Sequence, residues 1–397
     1  MDFDFSEQQL MLRQMTREFL ARESPPAAVR RLMDDPPGYS EPVWRQLAEL
    51  GLLGITFSEA YGGQGLGMVE LALVLEEMGR AVYPGPYFAT LVLAGTAILA
   101  GCNEDQKARW LPGIAAGRTK ATLALLEDRL AWGPEAVGLV ARPHDSGWVL
   151  SGRKSLVPYA HVADLLLIPA RTGQDGDPPR RLAIHRKRGQ AAEQHGITLF
   201  ALERDTPGLQ IQPLATMDAT NRVCDVTLRG VGVDGSHVVG TVNEGWPVLE
   251  TVLEHAAVGA SAEMLGAARR SLEMSVEYAR SRVQFDQPIG SFQAVKHRCA
   301  EMLLEVEQAH ATTYYAAWAL SAGAEDAALA ASVAKAYVSE AARKVCGDAI
   351  QVHGGIGFTW EFDLHLSFKR AKHLEPLYGD ADFHRERALR LRLNGAR

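Results

Sequence analysis

A chain of 397 residues with 47% hydrophobic and 22% charged composition is an ordinary globular protein, long enough for two or three packed units. A formal charge of -7 leaves no domain-wide basic surplus, which speaks against a nucleic-acid partner. Four scattered cysteines (Cys102, Cys224, Cys299 and Cys346) form neither a metal-type spacing nor a disulfide framework, so no metal is expected, and a reducing, cytoplasmic compartment is. The acidic start, Met1 to Phe5, is unlike a signal peptide, and no apolar run reaches the ~18 residues of a membrane span.

In chain order, the first stretch reads as helical. Residues 7–21 place Leu10, Met11, Met15 and Leu20 at helical spacing, and Pro25-Pro26 stops them. Residues 42–51 repeat the pattern with Val43, Leu47 and Leu50. The glycine cluster Gly62-Gly63-Gln64-Gly65 reads as a turn before a further apolar helix at 68–79. From about residue 121 the period shortens. Short apolar or alternating runs at 148–150, 165–168, 182–184 and 224–228, separated by Gly, Pro, Asp and Ser, predict an antiparallel β unit. The basic run Arg180-Arg181 and Arg186-Lys187-Arg188 reads as solvated loop, continuing to residue 194. From residue 245 the helical pattern returns. A long helix at 248–282, with small residues at Ala256, Ala257, Gly259, Ala260 and Gly266, is expected at the centre of a bundle, followed by helices at 292–322 and 326–353. The expected class is α+β, with a helical unit at 1–120, a β unit at 121–240 and a four-helix-type bundle at 241–397.

Three stretches resemble the acyl-CoA dehydrogenase family. They are Leu50-Gly51-Leu52-Leu53-Gly54-Ile55 followed by Glu59-Ala60-Tyr61-Gly62-Gly63; Arg282-Val283-Gln284-Phe285 with Phe292-Gln293; and Gln351-Val352-His353-Gly354-Gly355. Each is modest alone, but they occur in order over nearly the whole chain. The residues also make chemical sense beside a dinucleotide. Arginine offers a fixed fork of donors for pyrophosphate, Phe285 a flat face for adenine, the glutamines donate and accept, and the glycine pair permits close backbone approach. The resemblance implies that Arg282, Phe285, Gln293, Gln351, Val352, His353, Gly354 and Gly355 hold FAD, and that this FAD sits in the neighbouring subunit. It further implies an oxidoreductase of lipid metabolism that turns an acyl-CoA into the 2,3-enoyl-CoA, assembled as a dimer or tetramer. An electron-transfer flavoprotein is the implied electron acceptor.

The sequence departs from the family at the chemistry. Counting forward from Gln351, Tyr378 stands where the usual glutamate base belongs; the alternative base position falls on Ala256. Asp380 is the nearest carboxylate on the same loop and His255 a second candidate, while Glu254 points to the opposite side of its helix. In the β unit, Leu126-Glu127-Asp128-Arg129-Leu130-Ala131-Trp132 replaces a flavin-lining stretch, and Pro158 stands where a threonine hydroxyl would contact the ring. The groups that serve the chain's own site are lost, and those that reach a neighbour are kept. Three readings follow: a homo-oligomeric dehydrogenase using Asp380 or His255; one subunit of a heteromeric enzyme, as in members that degrade steroid side chains; or a flavin monooxygenase or non-redox binding protein on the same fold.

Overall fold

The computed structural model describes residues 4–172 and 195–394. The run at 182–184, the basic run and the loop to 194 lie outside the described residues.

Local chemistry sets the first helices. Helix α1 (Glu7–Glu23) starts at Ser6, whose hydroxyl accepts the Gln9 amide while the Gln9 side chain accepts from the Ser6 amide. Pro26 opens α2 (Pro26–Asp34) at a position where its missing N–H costs nothing. After α3 (Glu41–Glu49), α4 (Met68–Arg80) is buried along most of its length. A π-helical segment, Phe88–Gly95, runs directly into α5 (Thr96–Gly101), and α6 (Glu104–Ala115) closes this unit.

The middle unit is a sheet of β1 (Ala121–Leu123), β2 (Val140–His144), β3 (Gly147–Pro158), β4 (Leu165–Arg171), β5 (Ile197–Glu203), β6 (Leu209–Leu214), β7 (Val223–Val233) and β8 (Val238–Val239). Its order is β6-β7-β3-β2-β4-β5-β8, with β1 beside β4. Neighbours are antiparallel except β1 with β4 and a single β2–β4 pairing. Leu150, Ile168, Phe200, Val226 and Val231 pack its own apolar core.

Five helices follow: α7 (Trp246–Ser281), α8 (Gln293–Ala322), α9 (Ala327–His353), α10 (Leu364–Leu374) and α11 (Ala381–Asn394). Helix α7 is central, and glycine decides how closely α4 can approach it. A Cβ at Gly266 would lie 1.9 Å from the Glu76 carbonyl oxygen, and one at Gly79 would lie 2.0 Å from that of Glu263. The two backbones therefore touch, which brings Glu263 of α7 beside the C-terminal end of α4.

Candidate functional site

A cavity lies where the three units meet. Its walls come from the π-helical segment (Phe88, Leu93), the loop after β1 (Leu126, Trp132), the end of β3 (Leu156, Pro158), α7 (Val252, Glu263), α10 (Arg370, Leu374) and Tyr378. The space left open between them is about 50 Å³, room for several waters. Three aromatic rings pack together in the wall. Tyr378 stacks on Phe88 at 5.3 Å between centroids, and the Trp132 ring lies 5.5 Å from that of Tyr378, tilted by 51°. Leu156 and Tyr378 have φ of 53° and 60°, a region bulky side chains rarely adopt, so part of this wall is held in strained backbone.

The polar floor of the cavity is an ion cluster. Arg370, 1% exposed, donates from Nε to Asp218 Oδ2 at 3.0 Å and from Nη1 to Glu263 Oε2 at 3.3 Å. Its Nη2 donates to the Thr220 hydroxyl at 2.8 Å and the Tyr83 carbonyl at 3.1 Å. One guanidinium thus joins all three units. Burial pushes both carboxyls upward. At Asp218 the Arg370 charge and the Thr220 hydrogen bonds outweigh burial and hold it below the usual range; at Glu263 burial wins and its carboxyl is raised. The Tyr83 hydroxyl is buried without a hydrogen-bond partner among the described residues.

The base candidates fall as follows. Tyr378 does stand in the cavity wall, but burial raises its phenol further, away from use as a base at neutral pH. Asp380 does not line the cavity. It is exposed, and its carboxylate accepts the Phe383 amide at 2.8 Å, capping α11. His255 also lies outside the wall, its Nδ1 2.9 Å from the Thr251 carbonyl, and Glu254 accepts from Arg387 at 2.5 Å. Of the residues lining the cavity, the one carboxylate is Glu263, which sequence reasoning missed. A signal existed: Glu263 follows Ala256 by seven positions, about two turns, and so shares its face of α7.

The second group of residues forms an outward face at the far end of the bundle. Arg282, Gln293, Gln351, Gly354 and Gly355 are exposed, and Phe285 is 87% exposed. Phe285 and Asp286 form the tip of a tight hairpin (Val283–Gln284 against Gln287–Pro288) with φ of 53° and 63°. Both central positions of such a turn want Asn or Gly. A phenylalanine held there, in water, is displayed against its conformational and solvation preferences. Tyr278 stacks on His353 at 4.4 Å and brings the hairpin and the 351–355 segment to the same end. Within that segment Val352 and His353 turn inward, at 9% and 4% exposure, and serve as packing under the face instead of forming part of it.

Comparison with known proteins agrees with this architecture. The family models "Acyl-CoA dehydrogenase, N-terminal domain" and "Acyl-CoA dehydrogenase, C-terminal domain" match residues 6–118 and 243–391. The chain is 32% identical to the acyl-CoA dehydrogenase IpdE2 of Mycobacterium tuberculosis, over 92% of its own length and 91% of the relative's. It belongs to the acyl-CoA dehydrogenase family. Among solved structures, the ChsE4–ChsE5 complex of Mycobacterium tuberculosis matches with TM-score 0.85 and 28% identity, covering 98% of each chain. Butyryl-CoA dehydrogenase of Megasphaera elsdenii matches with TM-score 0.88 and 25% identity, over 99% of this chain and 100% of that one. This acyl-CoA dehydrogenase is therefore an oxidoreductase acting on the CH–CH bond of an acyl-CoA thioester. No helix among the described residues is long and apolar enough to cross a membrane.

Proposed function

We propose that this chain works as one subunit of a heteromeric FAD-dependent acyl-CoA dehydrogenase. It presents its outward face to the FAD of a neighbouring chain that bears the proton-abstracting carboxylate. The observation that carries the reading is the contrast between the two regions: a strained, exposed face with dinucleotide chemistry, and a cavity filled by Tyr378, Phe88 and Trp132. The ChsE4–ChsE5 neighbour is a complex of two different chains, which supports the same reading.

The outward residues fit FAD on their own terms. Arg282 offers a charged fork to a pyrophosphate, Phe285 a flat apolar surface, and Gln293 and Gln351 donors and acceptors. A Cβ at Gly354 or Gly355 would meet nothing within 4 Å, so the chain itself leaves open space there for an approaching molecule. FAD, when bound, supplies the hydride acceptor, and an electron-transfer flavoprotein then takes the electrons. The chain's own cavity fits a flavin poorly, because Pro158 has no N–H or hydroxyl to offer a ring and Trp132 occupies the wall. All four cysteines are free thiols, which suits a reducing compartment, and the subunit is assigned to the cytoplasm.

The test is flavin content. Purified alone, the chain is expected to carry little FAD; co-expressed with a base-bearing relative from the same genome, the assembly should be yellow and bleach with acyl-CoA. Stoichiometric FAD and turnover from this chain alone would sink the reading. In that event Glu263, the carboxylate in the cavity wall, becomes the base to examine first.

A further inference from the structure

Two aromatic side chains meet in the cavity wall, and each stands on a segment tied down by a fully buried lysine. On one side is Trp132, in the loop from Glu127 to Leu139. The Glu127 carboxylate accepts the Gly138 amide at 3.0 Å, the Leu139 amide at 2.9 Å and the Lys154 ammonium at 2.6 Å. One ion pair, its ammonium fully buried and its carboxylate partly so, thus fastens both ends of the loop. On the other side is Tyr378, on the turn that joins α10 to α11.

That turn is unfavourable by itself. Tyr378 has φ of 60°, Gly379 has φ of 100°, and the last carbonyls of α10 have no helical partner. Lys335, fully buried on α9, meets this need. Its ammonium lies among four acceptors for its three N–H bonds: the carbonyls of Leu374 at 3.2 Å, Glu375 at 2.9 Å and Gly379 at 2.9 Å, and the Ser339 hydroxyl at 3.1 Å. An ammonium has three donors and no acceptor, so it suits a cage of carbonyls better than any neutral side chain of that length. The Tyr378 carbonyl, in the same turn, accepts from His384 Nε2 at 2.9 Å. Without the ammonium, three carbonyls would be left buried and unsatisfied, and the turn would relax toward water.

We propose that Trp132 and Tyr378 form a gate that shuts this chain's own cavity, and that Lys335 is the positioning residue that keeps the gate shut. The purpose of the gate rests on the reading that a neighbour holds the flavin. Its test does not: FAD content measures that reading, and the conformation of two segments measures this one.

The experiment compares the full-length chain with its Lys335→Met variant at pH 6. Hydrogen exchange is followed in peptides 374–384 and 197–203. Acrylamide quenching of Trp132 is isolated by difference against a Trp132→Phe chain. Losing the cage should speed exchange in 374–384 by about tenfold or more, the scale of one unsatisfied buried polar group. Quenching of Trp132, on another unit but with its ring against Tyr378, should rise severalfold, while exchange in strand 197–203 stays unchanged. Equal acceleration in both peptides would make Lys335 an ordinary core residue. Unchanged Trp132 quenching, or no change anywhere, would also overturn the gate. If Lys335→Met does not fold, Tyr378→Leu removes the ring but leaves the cage. It should expose Trp132 without speeding exchange in 374–384, and failure to expose Trp132 would overturn the proposal.

Discussion

The outward face of the bundle and the cavity at the junction of the three units have divergent chemistry in one chain. The face spends conformational strain to put Phe285 into water and keeps Arg282, Gln293 and Gln351 exposed beside it. The cavity spends strain at Leu156 and Tyr378 to pack rings against one another, and its charged groups are consumed by Arg370. On the proposed reading, another molecule completes the first region, while the second is filled by the chain's own side chains. A fold shared with dehydrogenases therefore does not by itself tell which of the two regions serves a cofactor.

The sharpest way to break this contrast is to attack the cavity's ion cluster. Arg370→Met would leave Asp218 and Glu263 buried without their cation, which costs on the order of 3–5 kcal/mol. Chemical denaturation should show that loss, and the added changes Asp218→Asn and Glu263→Gln should recover most of it. A variant as stable as the parent would mean the cluster is not what joins the units. On the face, Arg282→Ala should leave stability alone. In the co-expressed assembly it should weaken FAD by roughly ten- to a hundredfold, the worth of charge-assisted hydrogen bonds to a phosphate. Unaltered flavin affinity there would remove the face from the site.

A finer test uses pH. The raised carboxyl of Glu263 holds its proton in the folded chain over a range where the unfolded chain, near 4.5, has released it. Its contribution to stability is therefore full below about pH 4.5 and is lost as pH rises through the folded value. Asp218, held below its ordinary 3.8, acts in the opposite sense and loses its contribution as pH falls. Glu263→Gln should flatten the decline in urea midpoint above pH 4.5 and leave the acid-side decline in place. A decline of unchanged slope in the variant would show that Glu263 does not carry it.

Much of this was legible in the residues. The end of the first helix followed from Pro25 and Pro26, the small residues of α7 foretold its central place, and the register from Gln351 put Tyr378 where a carboxylate was missing. What escaped depended on distant partners. Arg370 is 152 residues from Asp218 and 107 from Glu263, and no local pattern links them. Trp132 could be seen as a departure but not as a ring against Tyr378. Val352 and His353 sat inside a motif whose exposed members are spaced as i, i+3 and i+4. Helical periodicity could have separated the outward residues from the two between them.

Asp380 gives the smallest effect and the clearest separation of roles. In sequence it is the carboxylate nearest the vacant base position; in the fold it is an N-cap. Aspartate directly before a helix is a standard start signal, and the residue whose amide it accepts, Phe383, is the third of α11. Asp380→Ala should therefore cost about 1 kcal/mol of stability, the usual worth of such a cap, and Asp380→Asn should recover most of that cost because an amide oxygen caps nearly as well. Neither change should alter flavin reduction by acyl-CoA in the complete assembly. A base behaves otherwise: asparagine cannot accept the proton, so both variants would lose turnover together. Measuring reduction rates for this pair of variants decides between a cap and a catalyst in a way that neither the alanine variant nor the stability measurement does alone.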